Sequence, residues 1–408
     1  MKKIIANCTI ATPRGFNARK GEEMRDLYIL QDAFVLHEDG VILATGAMKD
    51  IEALGLSGTA EWFDAKGRVL LPGFVDSHTH LVFGGYRPDE FSWRLKGDTY
   101  MSIMERGGGI QSTVNATRTE SKEQLTEKAR WFLDRMSAMG VTTVESKSVY
   151  GLDTETELKM LEAIGELRKD AKMDIIPTFL GAHAVPKEYA GRTSEYCDLI
   201  INEMLPKVKD KAEFFDIFTE KNVFEIEDSR RLLKAARDAG MKLKLHADEI
   251  VQLGGAELAA EMGAVSADHL LHVSDEGIRR MAEAGVVATL LPLTAFALKE
   301  PYAPARKFID AGCAVALATD LNPGSCFSGS IPLTIALACI YMGMSIEETI
   351  TALTLNGAAA VGMADSIGSI EPGKAANFAL LEFDNINYLP YYVGMNCVYK
   401  TFYHGKEN

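Results

Sequence analysis

The chain has 408 residues, 47% hydrophobic and 25% charged, the composition of a globular protein with an ordinary core. No apolar run approaches the roughly 20 residues of a membrane span, and no lysine- or arginine-rich block relieves a formal net charge of −14. Nucleic acid and anionic membrane are therefore poor partners, and an anionic substrate would need specific local arginines to capture it.

The N-terminus, MKKIIANCTIATPRG, has two lysines but only a short, interrupted apolar stretch, which reads as no secretory signal. Residues 1–66 contain β-like pieces, ILQDAFVLHEDG and VILATG, separated by turn signals. Short apolar runs then recur at 69–76, 141–146, 174–181, 214–219, 242–246, 264–270, 286–291 and 314–319. Helical patterns separate them at 121–139, 155–169, 229–240, 258–263, 275–284 and 304–312. In the first of these, Leu125, Ala129, Phe132, Leu133 and Met136 share one face, and Gly140, Gly240, Gly263, Gly285 and Gly312 supply helix stops. Apolar strands alternating with helices imply parallel pairing with both faces covered. Eight such units predict an α/β fold, a (β/α)8 TIM-like barrel over 67–372. Residues 373–408 return to β-like NFALLEF and NCVYKTFYHG. Neither flank is long enough to bury much core alone. The expectation is one small β-sandwich domain built from 1–66 plus 373–408, with the barrel inserted. The six cysteines, Cys8, Cys197, Cys313, Cys326, Cys339 and Cys397, form no C-x-x-C pair, which argues against a disulfide framework or thiolate zinc site and suits a reducing cytoplasm.

Catalytic groups of a barrel belong at the C-terminal ends of its strands. In HTH, His78 and His80 must share a strand face, which fits either satisfied core histidines or a metal-binding pair. Glu145 and Lys147 close the second run, with Tyr150 beyond; His183 follows the third, His246 closes the fifth, His269 the sixth and Asp320 the eighth. Five of the eight histidines thus fall at one rim, leaving His37, His272 and His404 as structural or surface residues. Neutral imidazoles with a carboxylate suit zinc or iron(II), so His78, His80, His246 and Asp320 make a mononuclear site with a position left for water. Glu249, three residues beyond His246, is positioned to exchange a proton with that water; its alternative reading is a carboxylate at the start of the GGAELAAEMG helix. Gly107–Gly109 matches no phosphate-loop pattern and reads as a flexible loop over the barrel mouth, and no G-x-S-x-G elbow occurs.

These residues carry a resemblance. LLPGFVDSHTHLVFGG resembles the first-strand motif of the amidohydrolase superfamily, and IEPGKAANFALLE its closing segment. More narrowly, the chain resembles the imidazolonepropionase family through HTHLVFGGYRPDEF, YMSIMERGGGIQSTVNATR, ESKSVYGLDTETELK, TFLGAHAVP, DIFTEKNVF, LKLHADE, GGAELAAEMGAVSADHL and LATDLNPGS, in order along nearly the whole barrel. HTH alone specifies only the superfamily; GGGIQSTV, SKSVYGL, and HADE with NPGS are more specific. The resemblance implies hydrolysis of the cyclic amide of 4-imidazolone-5-propanoate to N-formimidoyl-L-glutamate in histidine degradation. It implies one divalent metal ion, Zn or Fe, on His78, His80, His246 and Asp320. Glu249, His269 and Asp320 are then the catalytic groups. Arg87, Tyr150, His183, Glu249, Asn322, Gly324 and Ser325 are the substrate contacts, with Arg87 as a planar fork for the propanoate. A small anionic heterocycle as substrate, a homodimer and a cytoplasmic location go with it. The match departs at Val149, Asn377 and Cys326-Phe327, the last expected to border the pocket. The competing readings are a related hydrolase or deaminase acting on another cyclic amide or heterocyclic amine, and a non-catalytic barrel scaffold.

Overall fold

A computed structural model describes residues 1–54, 60–98, 102–103 and 106–408. Its strands in chain order are β1 (Lys3–Thr12), β2 (Tyr28–Glu38), β3 (Val41–Ala47), β4 (Glu61–Asp64), β5 (Val69–Pro72), β6 (Phe74–Asp76), β7 (Val141–Ser148), β8 (Asp174–Ala182), β9 (Phe214–Thr219), β10 (Lys242–Ala247), β11 (Ser266–His269), β12 (Val287–Leu290), β13 (Val315–Leu317), β14 (Phe378–Leu381), β15 (Val398–Tyr403) and β16 (Lys406–Glu407).

Strands from both chain ends interleave in one mixed sheet, in the order β16-β15-β14-β5-β1-β2-β3 with β4 beside β1. Ile5, Ile10, Val35, Leu70, Phe378 and Phe402, drawn from the five strands β1, β2, β5, β14 and β15 of that sheet, bury together as one core. Either end alone offers too few of these side chains to close it.

The second sheet is the barrel, eight strands in sequence order from β6 to β13, every pair parallel. Its seam is nearly closed. The bridge Thr79↔Leu321 joins the two ends, with His80 N–H donating to Leu321 O at 2.9 Å and Asp320 N–H to His78 O at 3.0 Å. Metal-ligand candidates thus sit on the closure itself.

One expectation needs correction. The run 69–76 reads as a single barrel strand, yet the chain changes sheets at Gly73. Before it, β5 pairs with β1 and β14; after it, β6 pairs with β7. Gly73 N–H donates to Asn377 O at 2.9 Å, and a Cβ there would lie 2.2 Å from Thr142 Oγ1. Both halves are equally apolar, so periodicity cannot tell which sheet each joins. Side-chain alternation records the change: Leu70 points into the mixed-sheet core, while Val69 and Leu71 join the barrel-side core.

The outer helices follow the sequence closely. Lys122–Ala138 begins with a capping box, Ser121 Oγ accepting from Gln124 N–H while Gln124 returns to Ser121 N–H, and it buries the five apolar residues of its predicted face. Asp275–Ala284 is capped by Ser274 Oγ, which accepts from Gly277 N–H. The predicted glycine stops adopt φ between +66° and +89°. Such capping fixes strand ends in space, and with them the loops that carry the site.

Candidate metal centre and active site

At the C-terminal mouth of the barrel, side chains separated by up to 242 residues converge. His80 Nε2 lies 3.3 Å from Asp320 Oδ1 and 3.4 Å from His246 Nε2, and His78 Nε2 lies 3.6 Å from Asp320 Oδ1. Potential ligand atoms fall within 4.8 Å of one another in three overlapping groups: His78, His80 and Asp320; His78, His246 and His269; His80, His183 and His246. His78 Nε2 and Asp320 Oδ1 are buried and make no hydrogen bond among the described residues. Buried orphan donors and acceptors are costly, and a cation between them removes the cost. The donor set of imidazole nitrogens and one carboxylate fits zinc or iron(II).

The backbone is bent to make this meeting. His269, Leu270 and Asp320 adopt φ of +75°, +62° and +53°, a left-handed conformation that non-glycine residues seldom take. Thr294 Oγ1 donates to Asp320 Oδ2 at 2.6 Å and leaves Oδ1 facing the histidines.

Beneath the candidate ligands lies a layer of buried charge. Asp268 Oδ2 accepts from His78 Nδ1 at 2.6 Å, and Asp216 Oδ2 stands 3.0 Å from His246 Nδ1. A proton held on His78 Nδ1 leaves its Nε2 lone pair directed at the centre, and the charge of Asp216 favours the same tautomer of His246. Lys147 Nζ joins Asp216 Oδ2 at 2.8 Å and Glu145 Oε2 at 2.7 Å, while Lys244 Nζ lies 3.6 Å from both Glu145 Oε1 and Asp268 Oδ2. All five of these side chains are fully buried. Barrel interiors are more often filled by branched apolar residues; here the same level is an ion lattice that fixes two of the imidazoles.

Electrostatics follow from burial and these neighbours. Burial holds the His78 and His183 pKa values well below the ordinary 6.5, and keeps His80 low against the opposing pull of Asp320. These rings are neutral, the form that ligates. Burial also lowers His246, but Asp216 outweighs it and the net shift is upward. Burial, reinforced by Asp320, pushes Glu249 up to about 8, and burial pulls His269 down to about 3. Glu249 Oε1 lies 3.5 Å from His269 Nδ1.

Above the centre opens a cavity of about 510 Å³, lined by His80, Arg87, Tyr150, His183, His246, Glu249, His269, Asp320, Asn322, Gly324 and Ser325 among others. The structure therefore gathers every candidate named from the sequence, with His78 buried just behind. His183 stacks on Phe218 with ring centroids 5.4 Å apart, and the Tyr150 ring lies 6.0 Å from His80. Arg87 Nε donates to Glu90 Oε2 at 2.8 Å. Asn322 spends its side chain on its own loop, Oδ1 accepting from Gly324 N–H at 2.8 Å and Ser325 N–H at 2.7 Å.

The helix-start role considered for Glu249 belongs to Asp248, whose carboxylate accepts the N–H groups of Leu253, Gly254, Gly255 and Ala256. Glu249 is left free to face the cavity. The expectation that Cys326-Phe327 borders the pocket is corrected. Cys326 is buried against Leu293 and Leu337, and Phe327 turns outward against Phe83, Tyr86 and Phe132. Loop closure by Asn322, whose N–H donates to Cys326 O at 2.8 Å, directs both away from the cavity. Gly109 donates its N–H to Glu90 Oε2 at 3.0 Å and opens the helix Ile110–Thr119; Tyr100, Met101, Met104 and Glu105 of the same motif lie outside the described residues.

Sequence reasoning missed Asp216, Asp268, Thr294, Glu90, Arg94 and Phe218, and gave Glu145, Lys147 and Lys244 no role. A signal existed for Lys244, which has the strand parity of His246, so it points to the same face. Glu145 and Lys147 likewise share a face. No local pattern signals Thr294 or the partner choice of Asp268.

Comparison with known proteins bears on family and fold. The profile described as the amidohydrolase family matches residues 69–407. The chain is 63% identical over 402 residues to the imidazolonepropionase of Bacteroides thetaiotaomicron, covering 98% of this chain and 96% of that protein. It is 55% identical over 404 residues to the imidazolonepropionase of Clostridium tetani, covering 98% and 96%. Among solved structures, a triazine hydrolase from Arthobacter aurescens aligns with TM-score 0.76 at 18% identity, covering 100% of this chain and 94% of that one. Guanine deaminase of E. coli aligns with TM-score 0.71 at 16% identity, covering 100% and 99%. These structural likenesses bear on the fold alone.

Proposed function

The chain belongs to the amidohydrolase family, and from that premise we propose that it hydrolyses the ring C–N bond of 4-imidazolone-5-propanoate to N-formimidoyl-L-glutamate, a step of histidine degradation. The observation that carries the reading is the placement of Arg87 and Tyr150 on the wall of the cavity whose floor holds the orphaned His78–Asp320 cluster. One wall suits an anionic side chain, and the floor suits a metal.

His78, His80, His246 and Asp320 would hold one divalent ion, zinc or iron(II). Such an ion, when bound, supplies Lewis acidity that polarises the ring carbonyl and brings the pKa of water down to roughly 7. Glu249 takes the proton of the attacking water and returns it to the leaving ring nitrogen, a shuttle suited to a carboxyl whose pKa burial and Asp320 shift upward and a bound cation would draw back down. Water oxygen adds to the carbonyl carbon, the C–N bond breaks, and a carboxylate and a protonated nitrogen result. His269, neutral and 3.5 Å from Glu249 Oε1, orients the water. Asp320 shares the proton traffic, and its charge contributes to the high pKa of Glu249. Arg87 takes the propanoate; Tyr150 and His183 bound the ring. Asn322 shapes the loop that presents Gly324 and Ser325 to the substrate.

On this reading residues 1–66 plus 373–408 form a composite β domain around a 67–372 hydrolase barrel, with β5 crossing between them. Six free cysteines support a cytoplasmic location, and among the described residues no helix is long and apolar enough to cross a membrane. Ile340, Tyr341, Tyr391 and Val393 are exposed and support a homodimer, to be tested by light scattering.

The decisive experiment is hydrolysis of freshly generated imidazolone propanoate by purified protein, with metal measured on the same sample. Chelator-sensitive turnover at about one metal per chain is the expected result. Bound metal without turnover redirects the search to other cyclic amides. A metal-free, inactive protein favours the scaffold reading.

A further inference from the structure

Two arginines line the cavity, and they stand in different electrostatic states. Arg87 is matched: its Nε and Nη2 lie 2.8 and 2.7 Å from Glu90 Oε2, so one edge of its fork is already committed. Only Nη1 is turned elsewhere, toward Gly324, where an added Cβ would lie 2.4 Å from it. Arg94 lies seven residues on, a spacing that returns to the same face of the helix Pro88–Leu95. It is half-buried and has no ion pair or side-chain hydrogen bond among the described residues. Its guanidinium carbon lies 5.1 Å from the ring centroid of Phe91, which lines the same cavity. Asp98, also on the wall, is paired with Arg106 at 2.9 Å, and Glu300 on the rim makes no ion pair among the described residues.

Arg94 is thus the cavity-lining guanidinium that makes no ion pair among the described residues. Burial and the neighbouring Arg87 lower its pKa, and the charge of Glu90, already engaged by Arg87, opposes them only in part. A carboxylate entering the cavity meets a neutral Arg87–Glu90 pair and one uncompensated guanidinium. In a chain of net charge −14, a cavity guanidinium with its donors uncommitted is the group that can hold an anion there.

We infer that Arg94 is a specificity-determining residue: it receives the side-chain carboxylate of the substrate, with the free edge of Arg87 completing a two-arginine clamp. This rests on the hydrolase reading above and extends it, because Arg87 alone brings no net charge to the subsite.

The test uses metal-replete wild type, Arg94→Ala, Arg94→Gln and Arg94→Lys, each with imidazolone propanoate and with its uncharged propanamide analogue. Truncation to Ala or Gln should raise KM for the acid roughly tenfold to a hundredfold with kcat little changed. KM for the amide should stay the same, and Lys should recover most of the loss. A KM that rises equally for acid and amide assigns Arg94 to helix structure and overturns the inference, as does an unchanged KM for the acid. Wild type inactive on both compounds defeats the hydrolase reading instead. Calorimetric binding of 3-(imidazol-4-yl)propanoate against its amide then tests Arg94 independently, with acid preference lost in Arg94→Gln as the supporting result.

Discussion

His78 Nε2 and Asp320 Oδ1 are buried atoms facing each other at 3.6 Å with no hydrogen bond among the described residues, and that fact has consequences for single substitutions. His78→Ala and Asp320→Ala should each lose metal and activity together, read by metal analysis and turnover on one preparation. A metal-replete, fully active His78→Ala protein would sink the ligand assignment. Glu249→Gln keeps the shape of the side chain but cannot accept the proton, so kcat should fall by about 10²–10⁴-fold while metal content stays at the wild-type level. Metal loss in that variant would instead make Glu249 a ligand. Arg87→Ala should keep metal yet bind substrate poorly, since it removes a guanidinium and strands Glu90, whose side chain is only 12% exposed.

At the scale of an element, β7 and the helix after it set both the lattice and the Tyr150 loop. Lys147→Met would leave Asp216 buried without its ammonium and Glu145 with only the more distant Lys244. Removing one partner from a buried ionic network costs about 3–5 kcal/mol. Losing control of the His246 ring should weaken metal binding by about 10–100-fold, measured by chelator competition beside thermal unfolding. Unchanged metal affinity in a folded Lys147→Met protein would confine the lattice to a stability role. Glu157, near the start of Thr154–Leu167, accepts the N–H groups of Gly151 at 2.8 Å and Leu152 at 2.9 Å, fixing the turn beyond Tyr150. Burial pushes its pKa from the ordinary 4.5 up to about 7. The folded protein therefore holds a proton that the unfolded chain has released, and this part of the stability is complete below 4.5 and lost as pH rises to about 7. Glu157→Gln retains an acceptor and removes the titration. Its melting temperature should gain on wild type as pH goes from 5 to 8; a constant difference would exclude Glu157 from the pH dependence.

For the whole molecule, the crossing at Gly73 joins two cores through one residue. Gly73→Ala must displace Thr142 or the crossing strand, because its Cβ would fall 2.2 Å from Thr142 Oγ1. Overpacking of this kind costs about 1–3 kcal/mol, and it would disturb the β5 and β6 pairings together. A single, cooperative unfolding transition at lower temperature is the expected outcome in calorimetry. Two separated transitions would mean that barrel and mixed sheet are only loosely coupled.

Much of this architecture is legible in the residues themselves. The apolar runs and glycine-stopped helices of 121–312 repeat a local pattern, and local patterns survive without knowledge of partners. HTH, HADE and DLNPGS were readable as a rim because strand parity and strand ends are local properties too. Partner choice is another matter. Nothing near His78 in the chain points to Asp268, 190 residues away, or ties Asp216 to His246; barrel closure alone brings them to 2.6 and 3.0 Å. The same holds for the change of sheet at Gly73 and for the outward turn of Phe327, each decided by which neighbour leaves room. From the residues alone come the repeating units and the histidine and carboxylate groups that gather at one rim. Tertiary structure alone decided which imidazole edge faces inward and which arginine is left uncompensated, because those depend on contacts between residues that only folding makes adjacent.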